Sequence, residues 1–84
     1  MTAPVYYTEG ATVVSTSFDP GSMSAPAFFD MIIETTSGET IPLHAMGKTA
    51  KRHQATRINA GDLLRVVYYR PNGLIDSFTV ERRK

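Results

Sequence analysis

The sequence has no cysteine, so no disulfide reinforces it and no thiolate is on hand for a metal or a nucleophile. No apolar run approaches the roughly 20 residues of a membrane span. The opening stretch MTAPVYYTEGATVV (1–14) has neither a basic segment nor a long apolar one, so no signal peptide is expected and a cytoplasmic location is. The third absence is the most informative. Residues 1–47 contain no lysine or arginine and five acids (Glu9, Asp19, Asp30, Glu34, Glu39), for a net charge of −5. Residues 48–84 hold all nine basic residues against Asp62, Asp76 and Glu81, for +6. The whole-chain charge of +1 conceals this division, which suggests a basic face attracting a polyanion and an acidic face elsewhere. Basic residues that merely solvate the later strands would produce the same division.

With 84 residues, the chain makes one small domain with a modest core. Such a domain is often reinforced by a disulfide, a metal or self-association. Two histidines, His44 and His53, form no zinc pattern, and no cofactor motif is present. Self-association is left, and a homodimer is expected.

Turn residues cut the chain into short pieces. ATVVSTSF (Ala11–Phe18) is rich in β-branched residues and reads as a strand, followed by a loop, DPGSMSAPA (Asp19–Ala27). FFDMIIETT (Phe28–Thr36) is a second strand, with Phe29, Met31 and Ile33 on one face and Asp30 and Glu34 on the other. A tight turn, Ser37–Glu39, leads into a third, Thr40–Met46, where Pro42 demands an edge or a bulge. Thr49–Ile58 reads as a short helix capped by Thr49 and stopped by Asn59-Ala60-Gly61, its thin apolar face formed by Ala50, Ala55 and Ile58. DLLRVVYYR (Asp62–Arg70) is the clearest strand: Leu64, Val66 and Tyr68 point inward, Arg65 and Tyr69 outward. Pro71-Asn72-Gly73 turns into the last strand, Leu74–Lys84, with Phe78 and Val80 inward.

Three strands, a helix and two strands is the order of an all-β, five-stranded OB-fold, a Greek-key barrel with a short helix between strands 3 and 4. An SH3-like barrel is the runner-up.

Gly47-Lys48-Thr49 completes the last three positions of a phosphate-binding loop, G-x-x-x-x-G-K-[ST]. The first glycine of that motif would fall at Pro42, which has no N–H and a fixed φ, so the nucleotide-loop reading fails. Another likeness fits these residues. Met46-Gly47-Lys48-Thr49-Ala50 and Ala60-Gly61-Asp62-Leu63-Leu64-Arg65-Val66 resemble, in kind and spacing, two elements of bacterial single-stranded DNA-binding proteins: an aromatic-Gly-Lys strand end, and a Gly-Asp or Gly-Ser entry to the fourth strand. The likeness extends over roughly Ala11 to Val80 and looks closest to the primosomal replication protein B branch, or to a phage or plasmid relative. It implies non-specific single-strand binding in replication or recombination, with replication proteins as possible partners. Met46 stands where the family stacks a base on an aromatic ring. The hairpin at Pro71–Gly73 is shorter than the family's DNA-gripping loop. The ending Glu81-Arg82-Arg83-Lys84 differs from the family's acidic, partner-recruiting tip, so that recruitment is not expected.

Single-strand binding needs cations for phosphates and rings for bases. The candidates are Lys48, Lys51, Arg52, Arg57, Arg65, Tyr69, Arg70, Arg82, Arg83 and Lys84, with Tyr6, Tyr7 and Phe28 as further rings. RNA would satisfy the same groups, since discrimination rests on contacts to one hydroxyl. Gly21–Ala25 (GSMSA) is not a nucleophile elbow, and Asp30 with Glu34 reads as a solvated pair, so no catalysis is expected. The competing reading is a protein-interaction adaptor without nucleic-acid binding of its own.

Overall fold

A computed structural model describes residues 5–84. Its elements run β1 (Val5–Asp19), β2 (Phe28–Thr35), β3 (Thr40–Met46), α1 (Gly47–Ala55), β4 (Leu63–Arg70) and β5 (Ile75–Arg82). The strands form one five-stranded sheet, ordered β3-β2-β1-β4-β5, and every neighbouring pair is antiparallel. The expected strand count and the helix between the third and fourth strands are both present.

Closure into a barrel is not. The edge strands β3 and β5 meet at one parallel bridge, His44 with Leu74, where the His44 N–H donates to the Gly73 carbonyl at 2.9 Å. The contact is bounded on both sides: β3 gives way to the helix after Met46, and proline bounds it behind. The next backbone group of β3 on that side belongs to Pro42, two residues back, and it has no hydrogen to give. Pro42 thus lies in an edge strand, as its chemistry required.

β1 is longer than its apolar pattern suggests, 15 residues where Ala11–Phe18 was expected. Val5–Thr12 pairs with β4 and Ala11–Asp19 pairs with β2, so one strand serves two ladders. A bulge between Val13 and Ser15 pushes Val14 outward. The residues before Ala11 show no apolar alternation; the backbone of β4 holds them extended.

Alternation then builds the core. Ala11, Val13, Phe29, Met31, Ile33, Leu43, Ala45, Leu64, Val66 and Tyr68 all face inward and are almost wholly buried, each larger side chain contributing roughly 1.5–3 kcal/mol. Phe78 and Val80 pack against this cluster from β5.

The helix covers one end of the core and departs from expectation at both of its ends. It begins at Gly47, with Met46 as a cap residue that offers no side-chain hydrogen bond, and Thr49 lies inside it. Gly47 adopts φ +68°, a left-handed turn available cheaply only to glycine, and its N–H donates to the Ala27 carbonyl at 2.8 Å. The strand therefore turns directly into the helix. At the far end Arg57 takes φ 55° and its N–H bonds the Gln54 carbonyl, which stops the helix before Asn59. The buried helix residues are Ala50 and His53, whereas Ala55 is exposed. His53 sits between the rings of Phe29 and Phe78, with centroids 6.0 and 4.8 Å away.

Candidate nucleic-acid interface

Because the inward face of α1 is set by Ala50 and His53, the side chains at 48, 51 and 52 share the opposite face, one helical turn apart. Lys48, Lys51 and Arg52 are exposed there, and none has a carboxylate partner among the described residues. The end of β5 is fastened to the other end of this helix. The Arg83 guanidinium donates to the carbonyls of Thr56 and Arg57, both at 3.0 Å, and lies 3.6 Å from Asp62. Arg83 is thus a clamp that satisfies carbonyls at a helix C-terminus. Asp62 is buried and accepts from the backbone N–H groups of Lys84 (3.0 Å) and Asn59 (2.9 Å). These two bonds hold its carboxyl below the usual carboxylate range, despite burial and with help from Arg83. Arg82 and Lys84 flank the clamp and Arg57 supplies one of its carbonyls, and all three side chains are exposed and without a carboxylate partner among the described residues. Six unpaired cations therefore follow the helix and the strand end pinned to it: Lys48, Lys51, Arg52, Arg57, Arg82 and Lys84.

The remaining candidates lie elsewhere. Arg65 projects from the outer face of β4, as expected, and pairs with Glu81 at 3.3 Å. Both partners are well exposed, so the pair contributes little to stability. Tyr69 shares that face but is engaged: its hydroxyl is hydrogen-bonded to that of Tyr6, and the two rings lie 4.1 Å apart at 38°. The bond to Tyr6 pushes the Tyr69 phenol up to about 12.

Arg70 is tied down further. It donates to the Tyr68 hydroxyl at 3.0 and 3.2 Å and to Glu39 at 3.2 Å, and it lies 4.7 Å over the Tyr7 ring. Tyr68 in turn donates to Glu9 at 3.0 Å. The bonds to Tyr68 and Glu39 raise the Arg70 pKa. Burial raises that of Tyr68, Arg70 opposes the shift and Glu9 adds to it. This network links the end of β4 to β1 and to the β2–β3 turn, and its arginine has little capacity left for a phosphate.

The face of strands 2 and 3 is where OB-type barrels hold oligonucleotides. Here its outward residues are Phe28, Asp30, Ile32 and Glu34 on β2 and Thr40, Pro42, His44 and Met46 on β3, continued by Ser15, Ser17 and Asp19 on β1. No lysine or arginine is among them. A cleft of about 700 Å³ opens between this face and the Pro71–Gly73 turn, and its one cation is the committed Arg70. Asp30 and Glu39 also line it, the latter paired with Arg70, so the lining offers no uncommitted cation to a phosphate.

One corner of the face is different. Phe28 pairs directly across from Met46, the residue before the helix, and both are exposed, 38% and 49%. An exposed ring thus lies across from the residue that leads into the helix. Phe28 was a secondary candidate in the sequence because nothing there fixes its register against Met46 across the intervening turn. His44 and His53 lie apart, and among the described residues no group of three His, Cys, Asp or Glu is placed to hold a metal ion. No helix there is long and apolar enough to cross a membrane.

Comparison of the chain with protein-family models, with curated proteins and with solved structures finds no match in any of the three. The likeness to single-stranded DNA-binding proteins rests on the two sequence elements that carry it.

Proposed function

We propose that the chain is a small OB-type domain that binds single-stranded nucleic acid without sequence preference and without catalysis. The phosphates run along Lys48, Lys51 and Arg52 and on toward Arg57, Arg82 and Lys84, and a base stacks on Phe28. The observation that carries this reading is the helix stripe: three cations on one face, free of carboxylates among the described residues, on a helix entered from Met46, across from which Phe28 is exposed. The strand order, the helix position and the parallel approach of β3 to β5 support the fold assignment. Such a domain would coat or hand over strands in replication or recombination, as a homodimer or in the company of replication proteins.

The test is fluorescence anisotropy of labelled oligo-dT and oligo-U at about 50 and 200 mM salt. Each phosphate met on a single strand contributes about −0.7 to the log–log salt slope, so three to six contacts predict a slope of about −2 to −4. Replacing Phe28 by alanine removes a stack of ~1–3 kcal/mol, a loss of roughly five- to 150-fold. Tyr69→Ala has the smaller effect, because Tyr6 already occupies that ring. No binding at the lower salt sinks the proposal.

One observation favours the adaptor reading: carboxylates interleaved with exposed apolar side chains on the strand 2–3 face, a composition suited to protein. That reading predicts flat anisotropy at every salt concentration.

A further inference from the structure

Asp30, Ile32 and Glu34 follow one another on the outward face of β2, flanked by Ser15 and Ser17 of β1 and by Pro42 and His44 of β3. Ile32 and the bulged Val14 are exposed at 37% and 46%. Asp19, Asp30 and Glu34 have no basic partner among the described residues, and neither do the six cations of the helix and the β5 end. The two sets cannot neutralise one another within a chain. The helix packs against the inner side of β2 and β3 through Ala50 and His53, whereas these carboxylates point outward. Between chains they can.

We propose that the β1–β2–β3 outer face is a docking surface for a second copy of this chain, which presents its Lys48–Lys51–Arg52 stripe to Asp30 and Glu34 and packs against Ile32. Asp30 and Glu34 lie roughly 13 Å apart along the strand, with the apolar residue midway. Lys48 and Arg52 are about 6 Å apart along the helix, and their outstretched side chains reach across the difference. The contact is heterologous: the copy that lends its stripe keeps its acidic face free and the copy that lends its face keeps its stripe free, so the association continues beyond two unless it closes into a ring. Three short strands offer less than the roughly 800 Å² per partner of a durable interface, so the complex exchanges quickly and forms at high concentration. The helix stripe is shared with the nucleic-acid reading, but the docking does not depend on that reading, and its test contains no nucleic acid.

Sedimentation velocity over a concentration series up to on the order of 100 μM, at about 50 and 500 mM salt, tests the proposal. The expected result is a sedimentation coefficient that climbs with concentration at low salt, with an association constant at least about tenfold weaker at high salt. Asp30→Asn/Glu34→Gln and Lys51→Gln/Arg52→Gln alter exposed side chains only, and circular dichroism verifies that both variants remain folded. Each variant alone is expected to lose about tenfold in self-association. Their equimolar mixture retains one good junction, an intact stripe against an intact face, and forms a heterodimer that grows no further. A wild-type chain that stays monomeric at low salt overturns the proposal. So does self-association that neither variant weakens, or a mixture that associates no better than its components.

Discussion

The first 47 residues and the last 37 build one sheet together yet differ in how they dispose of charge. The early segment leaves Asp19, Asp30 and Glu34 unpaired among the described residues and commits Glu9 and Glu39 to the network of Tyr68 and Arg70. The later segment spends Arg65 and Arg83 on its own acids and keeps six cations unpaired among the described residues. Among the described residues, the two charge sets meet only at Tyr68 and Arg70. Segregation along the chain becomes segregation in space because β2 and β3 turn their acids to one side, while α1 and the end of β5 carry the cations away from it. A surface evolved for stability alone would interleave its charges. This one keeps two opposed surfaces, which suits partners, not self-neutralisation.

The largest expected effect comes from erasing the contrast. Reversing the stripe with Lys48→Glu, Lys51→Glu and Arg52→Glu should lower oligo-dT affinity by about a hundredfold or more in anisotropy, and flatten its salt slope by about 2. Next is the seam between the two segments. Gly73 adopts φ +73°, and a Cβ added there would stand 2.8 Å from the Pro42 carbonyl oxygen. Gly73→Ala should cost about 1–2 kcal/mol from the backbone conformation alone, read by urea denaturation. It should also accelerate hydrogen exchange at the His44 amide, whose acceptor it displaces.

A smaller effect is expected where the charge sets meet. Tyr68→Phe keeps the buried ring but deprives Glu9 and Arg70 of the hydroxyl, a loss of about 1 kcal/mol with little change in oligo-dT binding. The smallest is a pH effect behind the stripe. Burial, reinforced by Arg52, holds the His53 imidazole below its ordinary 6.5, and its Nε2 is buried without a hydrogen-bond partner. The unfolded chain therefore takes up more protons than the folded one below 6.5. Stability is full above that pH and declines as the pH falls from there toward the folded-state value. His53→Phe should remove the decline, and urea midpoints at about pH 7.5 and 5.5 compare the two proteins.

How much of this the sequence announced depends on whether the cause is local. The β4 alternation was plain, since Leu64, Val66 and Tyr68 obey a two-residue period and the core enforces it. Pro42 named its own edge. Lys48, Lys51 and Arg52 were each candidates, but the helix expected from Thr49 left Lys48 outside it, and their shared face emerges only once the helix begins at Gly47. The helix ends were misjudged because Thr49 is a reasonable cap, and only the left-handed turn at Gly47 starts the helix earlier. The first residues of β1 lacked a pattern because their order comes from β4, far along the chain. The fates of Arg70, Arg83 and Tyr69 were hidden for the same reason: their partners lie 31, 26 and 63 residues away. A basic residue in a sequence shows its charge, and only the fold shows whether that charge is already spoken for.

The double service of β1 has a consequence during synthesis. Its second half can find β2 soon after leaving the ribosome, but Val5–Gly10 has no partner until residues 65–70 emerge. At ~5–20 residues per second that is a wait of roughly 3–12 s. Throughout it, the strand that begins Val5-Tyr6-Tyr7 offers a bare edge to any other nascent chain, so the interval, more than the finished fold, sets this protein's exposure to mispairing.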